Sequence, residues 1–167
     1  MWRKILCVLI IVYLPIPIAS ADNHTVVYLV RHAEKELDQG KDPNLTEKGL
    51  YRAGHYADSF RDAGITHIYS TDYKRTQATV KPLADLLGLP VISYDPDYLG
   101  KLANTFRSAQ GIYFVSGHSD TTPELVTALG GTAGREIDED NEFDRVYQII
   151  INADKTVYTH RLRSLPK

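Results

Sequence analysis

Residues 25–30, Thr-Val-Val-Tyr-Leu-Val, are apolar and largely β-branched, and the run stops abruptly at Arg31-His32. Such a run without alternation is the pattern of a central parallel strand covered on both faces. In open α/β sheets the carboxyl end of that kind of strand opens into a crevice where ligands bind. The rest of the chain must therefore supply parallel neighbours, crossover helices and the other walls of the crevice.

The segments that follow alternate as this requires. A polar loop runs through Asp42-Pro43-Asn44, and Thr46 then caps a helix to about residue 63, with Glu47 in its first turn and Gly64 as its stop. Residues 65–69 form a second strand. Ser70-Thr71-Asp72 offers capping side chains for a second helix ending near Leu87-Gly88, which Pro82 should kink or restart. A third strand at 90–94, a helix at about 98–109, a fourth strand at 112–116 and a helix at 123–129 complete the alternation, the last with Pro123 in its first turn. Residues 146–151 and 156–162 read as a terminal hairpin, its second strand alternating like an exposed edge. The acidic stretch 134–143 reads as a loop over one end of the sheet. The expected fold is a three-layer α/β/α sandwich: a mostly parallel central sheet with a C-terminal antiparallel edge hairpin.

The beginning of the chain has a different character. Trp2-Arg3-Lys4 gives a positive start, residues 5–14 an apolar run, and Ala19-Ser20-Ala21 a small-residue cleavage site. Together they read as a secretory signal peptide over residues 1–21, with one domain at 22–167 and an exported, periplasmic or secreted product. Pro15 and Pro17 interrupt the apolar run, so no stable membrane insertion is expected after cleavage. An uncleaved anchor is the alternative. Without Arg3 and Lys4, the 19 basic residues become 17 against 21 acidic ones, which argues against a nucleic-acid partner. The only cysteine, Cys7, lies within the signal segment, so the remaining chain has no thiol nucleophile, disulfide or cysteine-ligated metal.

Chemistry gathers where the strands end. Arg31-His32 follows the first, Ser70 and Thr71 with Arg75 one helical turn later follow the second, and His118 follows the fourth. All these ends face the same edge of a parallel sheet. Arginine forks, imidazoles, hydroxyls and a helix start aimed at one crevice form a receptor for a phosphate-like anion. Gathered cations repel one another, and a bound anion offsets that cost. A neutral histidine there can attack phosphorus and later depart, dividing one displacement into two easier ones.

These residues carry a family resemblance. Arg31-His32-Ala33-Glu34 resembles the Arg-His-Gly/Ala signature of the histidine phosphatase (phosphoglycerate mutase-like) superfamily. Leu45-Thr46-Glu47-Lys48-Gly49 is similar to its Leu-Thr-x-x-Gly segment, Ser70 to Arg75 with Thr79 to its second-arginine motif, and Gly117-His118-Ser119 to its second-histidine motif. The resemblance implies a compact branch 1-type member and a phosphomonoesterase with His32 as the nucleophile that becomes phosphohistidine. Arg31, Arg75 and His118 would bind the phosphoryl group, with His118 cationic or donating toward it. No metal or organic cofactor is implied, and the partner would be a small-molecule phosphate ester. The oligomeric state is left open.

Alternatives remain at this stage. The general acid implied by the family is Asp97, then Asp95 or Glu34, or no residue at all. A zinc site of His32, Glu34 and His118 is the metal reading, disfavoured by the adjacent arginines. A non-catalytic phospho-ligand binding domain, a phosphohistidine phosphatase and a mutase are the competing functions. Two features depart from the family's pattern: Asp120 stands where Asn is common, and no long insertion separates His32 from Leu45.

Overall fold

The computed structural model describes residues 24–164, and the expected signal segment at 1–21 lies outside them. Six strands form one sheet in the order β3-β2-β4-β1-β5-β6. β1 (Thr25–Arg31), β2 (His67–Thr71), β3 (Val91–Tyr94) and β4 (Ile112–Gly117) are mutually parallel, while β5 (Arg145–Ile151) and β6 (Val157–Arg163) add an antiparallel hairpin beside β1. The expected architecture is therefore present, with β6 as the exposed edge.

β1 is central because both of its faces are covered. Val27 and Leu29 enter one apolar cluster with Leu102 and Phe106 of α3 (Leu99–Ser108) and with Leu125 and Val126 of α4 (Thr121–Ala128). Val30, from the opposite face, joins Tyr56 and Ala57 of α1 (Glu47–Phe60) and Val80, Leu83 and Ala84 of α2 (Lys74–Leu87). Period-2 alternation thus fills two layers of helix from one strand. No helix among the described residues is long and apolar enough to cross a membrane.

Several local expectations are corrected. α1 is capped by Thr46, whose hydroxyl accepts from Gly49 N, but it ends at Phe60, short of the expected end at about residue 63. Ser70 and Thr71 do not cap α2: both remain paired with Ser93 and Tyr94 of β3, and Tyr73 takes the cap position without a side-chain bond. Pro82 does not restart α2, which is continuous. Buried Val80, Leu83 and Ala84 on either side hold that turn against the sheet, so packing outweighs the one ladder bond proline cannot make. α4 begins two residues before Pro123, because Asp120 accepts from Thr121 N at 2.7 Å.

Candidate active site

The sheet register levels the strand ends. Arg31 pairs with Gly117, Ser116 with Ser70, and Thr71 with Tyr94, so β1, β4, β2 and β3 finish in one row. His32 N donates to Gly117 O at 2.9 Å, which places His32 and His118 just beyond that row with ring centroids 5.6 Å apart. Gly117 is required there: a Cβ would lie 2.9 Å from both Thr122 Oγ1 and Tyr94 Oη. Arg75 reaches the same place from the first turn of α2. A cleft of about 300 Å³ results, lined by His32, Lys35, Tyr73, Arg75, Asp97, His118, Ser119, Asp120 and Glu139 among others.

His32 is held in one tautomer. Its Nδ1 lies 2.8 Å from Ala33 O, an acceptor only, so Nδ1 carries the proton and Nε2 keeps its lone pair. Ala33 N in turn donates to Thr79 Oγ1 at 2.9 Å, and that hydroxyl donates to Arg75 O at 2.7 Å. Thr79 therefore ties the His32 loop to the helix turn that carries Arg75. Burial lowers the His32 imidazole to about 3, the Ala33 bond opposes this, and Arg31, Arg75 and His118 lower it further. A neutral, oriented imidazole is the form able to act as a nucleophile.

His118 is also neutral, with both nitrogens engaged. Arg75 Nη2, which can only donate, lies 3.3 Å from His118 Nδ1, so Nδ1 accepts. Nε2 then holds the proton and donates to Thr71 Oγ1 at 3.0 Å, Thr71 donates to Thr76 Oγ1 at 2.9 Å, and Thr76 donates to Tyr73 O at 2.9 Å. Burial first, then Arg75, with opposition from Asp120, brings the ring to about 4. In this state His118 is neutral, its Nδ1 lone pair held by Arg75 and its one N–H directed to Thr71.

The arginines hold unused donors. Arg31 is 1% exposed and packs 4.2 Å over the Phe143 ring. Its Nη1 donates to Asp138 O and Glu142 O, both at 3.2 Å, but its Nε and Nη2 are buried without a hydrogen-bond partner. Arg75 stacks 4.6 Å from the Tyr73 ring and gives Nη1 to Lys41 O at 3.3 Å, while its buried Nε also lacks a partner. Buried guanidinium N–H groups without a hydrogen-bond partner are costly, and beside a cleft they suit an anionic ligand.

Other predicted residues are used elsewhere. Ser70 is fully buried and donates to Thr71 O, so it does not reach the cleft, and Thr71 acts only through His118. Glu34 forms a two-pronged pair with Arg52, at 2.9 and 2.7 Å, with Lys48 at 3.4 Å. Burial raises its carboxyl, but the Arg52 bonds outweigh this and hold it below the usual range. It therefore supplies neither a proton nor a zinc ligand. Gly49 lets α1 approach the Glu34 backbone closely, since a Cβ there would overlap Glu34 O. Asp95 accepts from Asp97 N at 2.9 Å and caps the short 3-10 turn Pro96–Tyr98, leaving Asp97 as the acid candidate at the cleft. Among the described residues no group of three or more His, Cys, Asp or Glu side chains is placed to hold a metal ion.

Glu139, Lys35, Tyr73 and Phe143 belong to the site without having been singled out. Glu139 accepts from Ser119 Oγ at 3.1 Å and sits 3.6 Å from Lys35 Nζ and 3.9 Å from Arg31 Nη2. Nothing in the acidic run distinguishes it from Asp138 or Asp140; only the folding of that loop over β1 does.

Comparison with known proteins agrees with this geometry. The model of the histidine phosphatase superfamily (branch 1) matches residues 27–96, which contain His32, Arg75 and Thr79. The chain is 43% identical over 76 residues to "Probable phosphoglycerate mutase GpmB" of Yersinia pestis (strain Pestoides F); the match covers 42% of this chain and 35% of that protein. It thus spans about a third of the length of the curated relatives it matches. Among solved structures, the protein histidine phosphatase SixA complexed with tungstate superposes with a TM-score of 0.66 at 17% identity, over 83% of this chain and 97% of that one. A phosphoglycerate mutase from Bacillus anthracis str. Sterne gives 0.63 at 15% identity, over 84% and 93%. With the motif residues in matching order, residues 27–96 are similar to the histidine phosphatase superfamily (branch 1), and the chain shares the fold of the solved phosphatase and mutase structures.

Proposed function

We propose that this protein is an exported phosphatase that hydrolyses phosphomonoesters through a phosphohistidine on His32, without a metal. The observation that carries the reading is the set of unpartnered buried N–H groups on Arg31 and Arg75 beside a neutral His32 whose Nε2 is free. Arg31 and Arg75 hold the phosphoryl oxygens and stabilise their charge as the group transfers. His32 Nε2 forms a bond to phosphorus while the bond to the ester oxygen breaks, and Asp97 gives that oxygen a proton. Water then attacks the phosphohistidine, Asp97 takes its proton, and inorganic phosphate leaves with His32 restored. A bound dianion raises the His118 pKa, so that ring gains a proton and turns from acceptor to donor.

The tungstate held by the similar SixA structure is itself a tetrahedral oxyanion, which suits the same reading. Export rests on the signal-like residues 1–21. The mutase reading draws on the name of the matched relatives, but this chain spans only 35% of their length. An open cleft also favours water over a retained intermediate as the second acceptor.

The test is His32→Ala in the full-length protein. Loss of aryl phosphate hydrolysis, with an acid-labile phosphoenzyme trapped in the wild type and none in the variant, is expected. Chelator should have no effect. Undiminished turnover by the variant, or inhibition by chelator, overturns the reading. Tight vanadate binding with no turnover would instead mark a non-catalytic phospho-ligand domain.

A further inference from the structure

The mouth of the cleft is charged oppositely to its floor. Arg75 lines the cleft and Arg31 is buried beside it, close enough to act on His32, whereas Asp97 on the 3-10 turn, Asp120 at the start of α4 and Glu139 in the 134–143 loop line it with carboxylates. All three carboxylates are exposed, and each comes from a different element. The one ammonium lining the same cleft, that of Lys35, is taken up by Glu139 at 3.6 Å. The ligand itself is marked independently: Arg31, 1% exposed, keeps Nε and Nη2 without a hydrogen-bond partner, Nη2 having only a long ion-pair contact of 3.9 Å with Glu139 Oε1. A phosphoryl group drawn down to those donors leaves the rest of its molecule to emerge through the carboxylates.

Resting on the phosphatase reading above, we propose that this cleft selects phosphomonoesters whose leaving group carries an amine or quaternary ammonium, and that Glu139 sets the preference. A cationic leaving group meets opposite charge on three sides. A carboxylate-bearing one meets like charge, and Lys35 cannot relieve it while Glu139 holds the ammonium. Glu139 therefore acts twice, by its own charge and by neutralising Lys35. Exposed charge pairs change affinity by up to about fivefold each, so three acting together give a preference of about tenfold or more.

The test compares kcat/KM of the full-length protein on phosphoethanolamine, phosphocholine, ethyl phosphate and phosphoglycolate. The ammonium esters should exceed ethyl phosphate severalfold and phosphoglycolate by about tenfold. Glu139→Gln should largely close that gap, and Glu139→Lys should invert it. Because each ratio is taken on one preparation, partial unfolding of a variant cancels. Equal rates regardless of charge, preference for phosphoglycolate, or an unchanged ranking in Glu139→Gln overturns the proposal. If no ester is hydrolysed, the phosphatase reading fails. Calorimetric affinities of the same four esters then decide the charge preference separately, equal affinities overturning it.

Discussion

Arg75 Nη2 donates to His118 Nδ1 across 3.3 Å, an arrangement open only to a neutral imidazole. The bond ties the first turn of the second helix to the residue that follows the fourth strand. Replacing His118 by Ala should free Arg75 to swing toward Asp42, whose Oδ1 lies 3.9 Å from Nη1. We expect kcat/KM to fall about 100-fold or more, a magnitude typical of losing one transition-state donor, and inorganic phosphate to inhibit more weakly. Steady-state kinetics with phosphate as a competitive inhibitor measures both.

The acid limb of activity should lie well below the ordinary histidine range. Burial lowers His32 to about 3, so its neutral form persists as the pH falls through 6 and 5, and protonation removes the nucleophile only near 3. A histidine at its ordinary pKa would lose most of its activity by pH 5.5. The profile of kcat/KM, corrected for ionisation of the substrate phosphate, tests this, as does a proton NMR titration of the His32 ring.

Asp97→Asn should separate leaving groups. Alkyl phosphates need a proton on the departing oxygen and should slow about 100-fold or more. A nitrophenyl phosphate leaves as a stable anion and should slow far less. Equal loss on both would remove Asp97 from the acid's role.

The fold has its own acid-sensitive point at Glu142. This carboxylate receives two 2.7 Å bonds from Arg145 and one from Arg163, with Arg135 Nη1 at 2.8 Å. Burial alone would raise its pKa, but Arg145, the Asp138 backbone and Arg163 outweigh it and hold the group at about 2. A depressed carboxyl contributes stability that is present above the unfolded value of 4.5 and is lost as the pH falls toward 2. Glu142→Gln leaves Arg145 buried without its counter-charge and should cost about 3 kcal/mol at pH 7. Denaturant melts at pH 7 and pH 3 should show the variant's deficit shrinking at the lower pH.

How much of this was legible in the sequence depended on the range of the interaction. Thr46 as a cap, Gly88 as a stop and the apolar run of β1 are local signals, and they fell where expected. Pro82 and the start of α2 did not, because strand pairing of Thr71 and packing of Leu83 override local preference. His32, Arg75 and His118 do line one cleft, since parallel strands must end on one edge. Ser70 and Glu34 carry suitable chemistry, but the fold turns one into the sheet and the other onto Arg52.

By itself the sequence determined the alternating α/β order, the central strand and the convergence of arginine and histidine at its end, because these follow from hydrophobic period and chain direction. Only the tertiary structure decided which imidazole nitrogen is free, which arginine donors lack partners, and that Glu139 rather than its acidic neighbours stands over Arg31. Those outcomes depend on side chains as far as 108 positions apart, Arg31 and Glu139, meeting within a few ångströms, and no local pattern in the chain encodes such a distance.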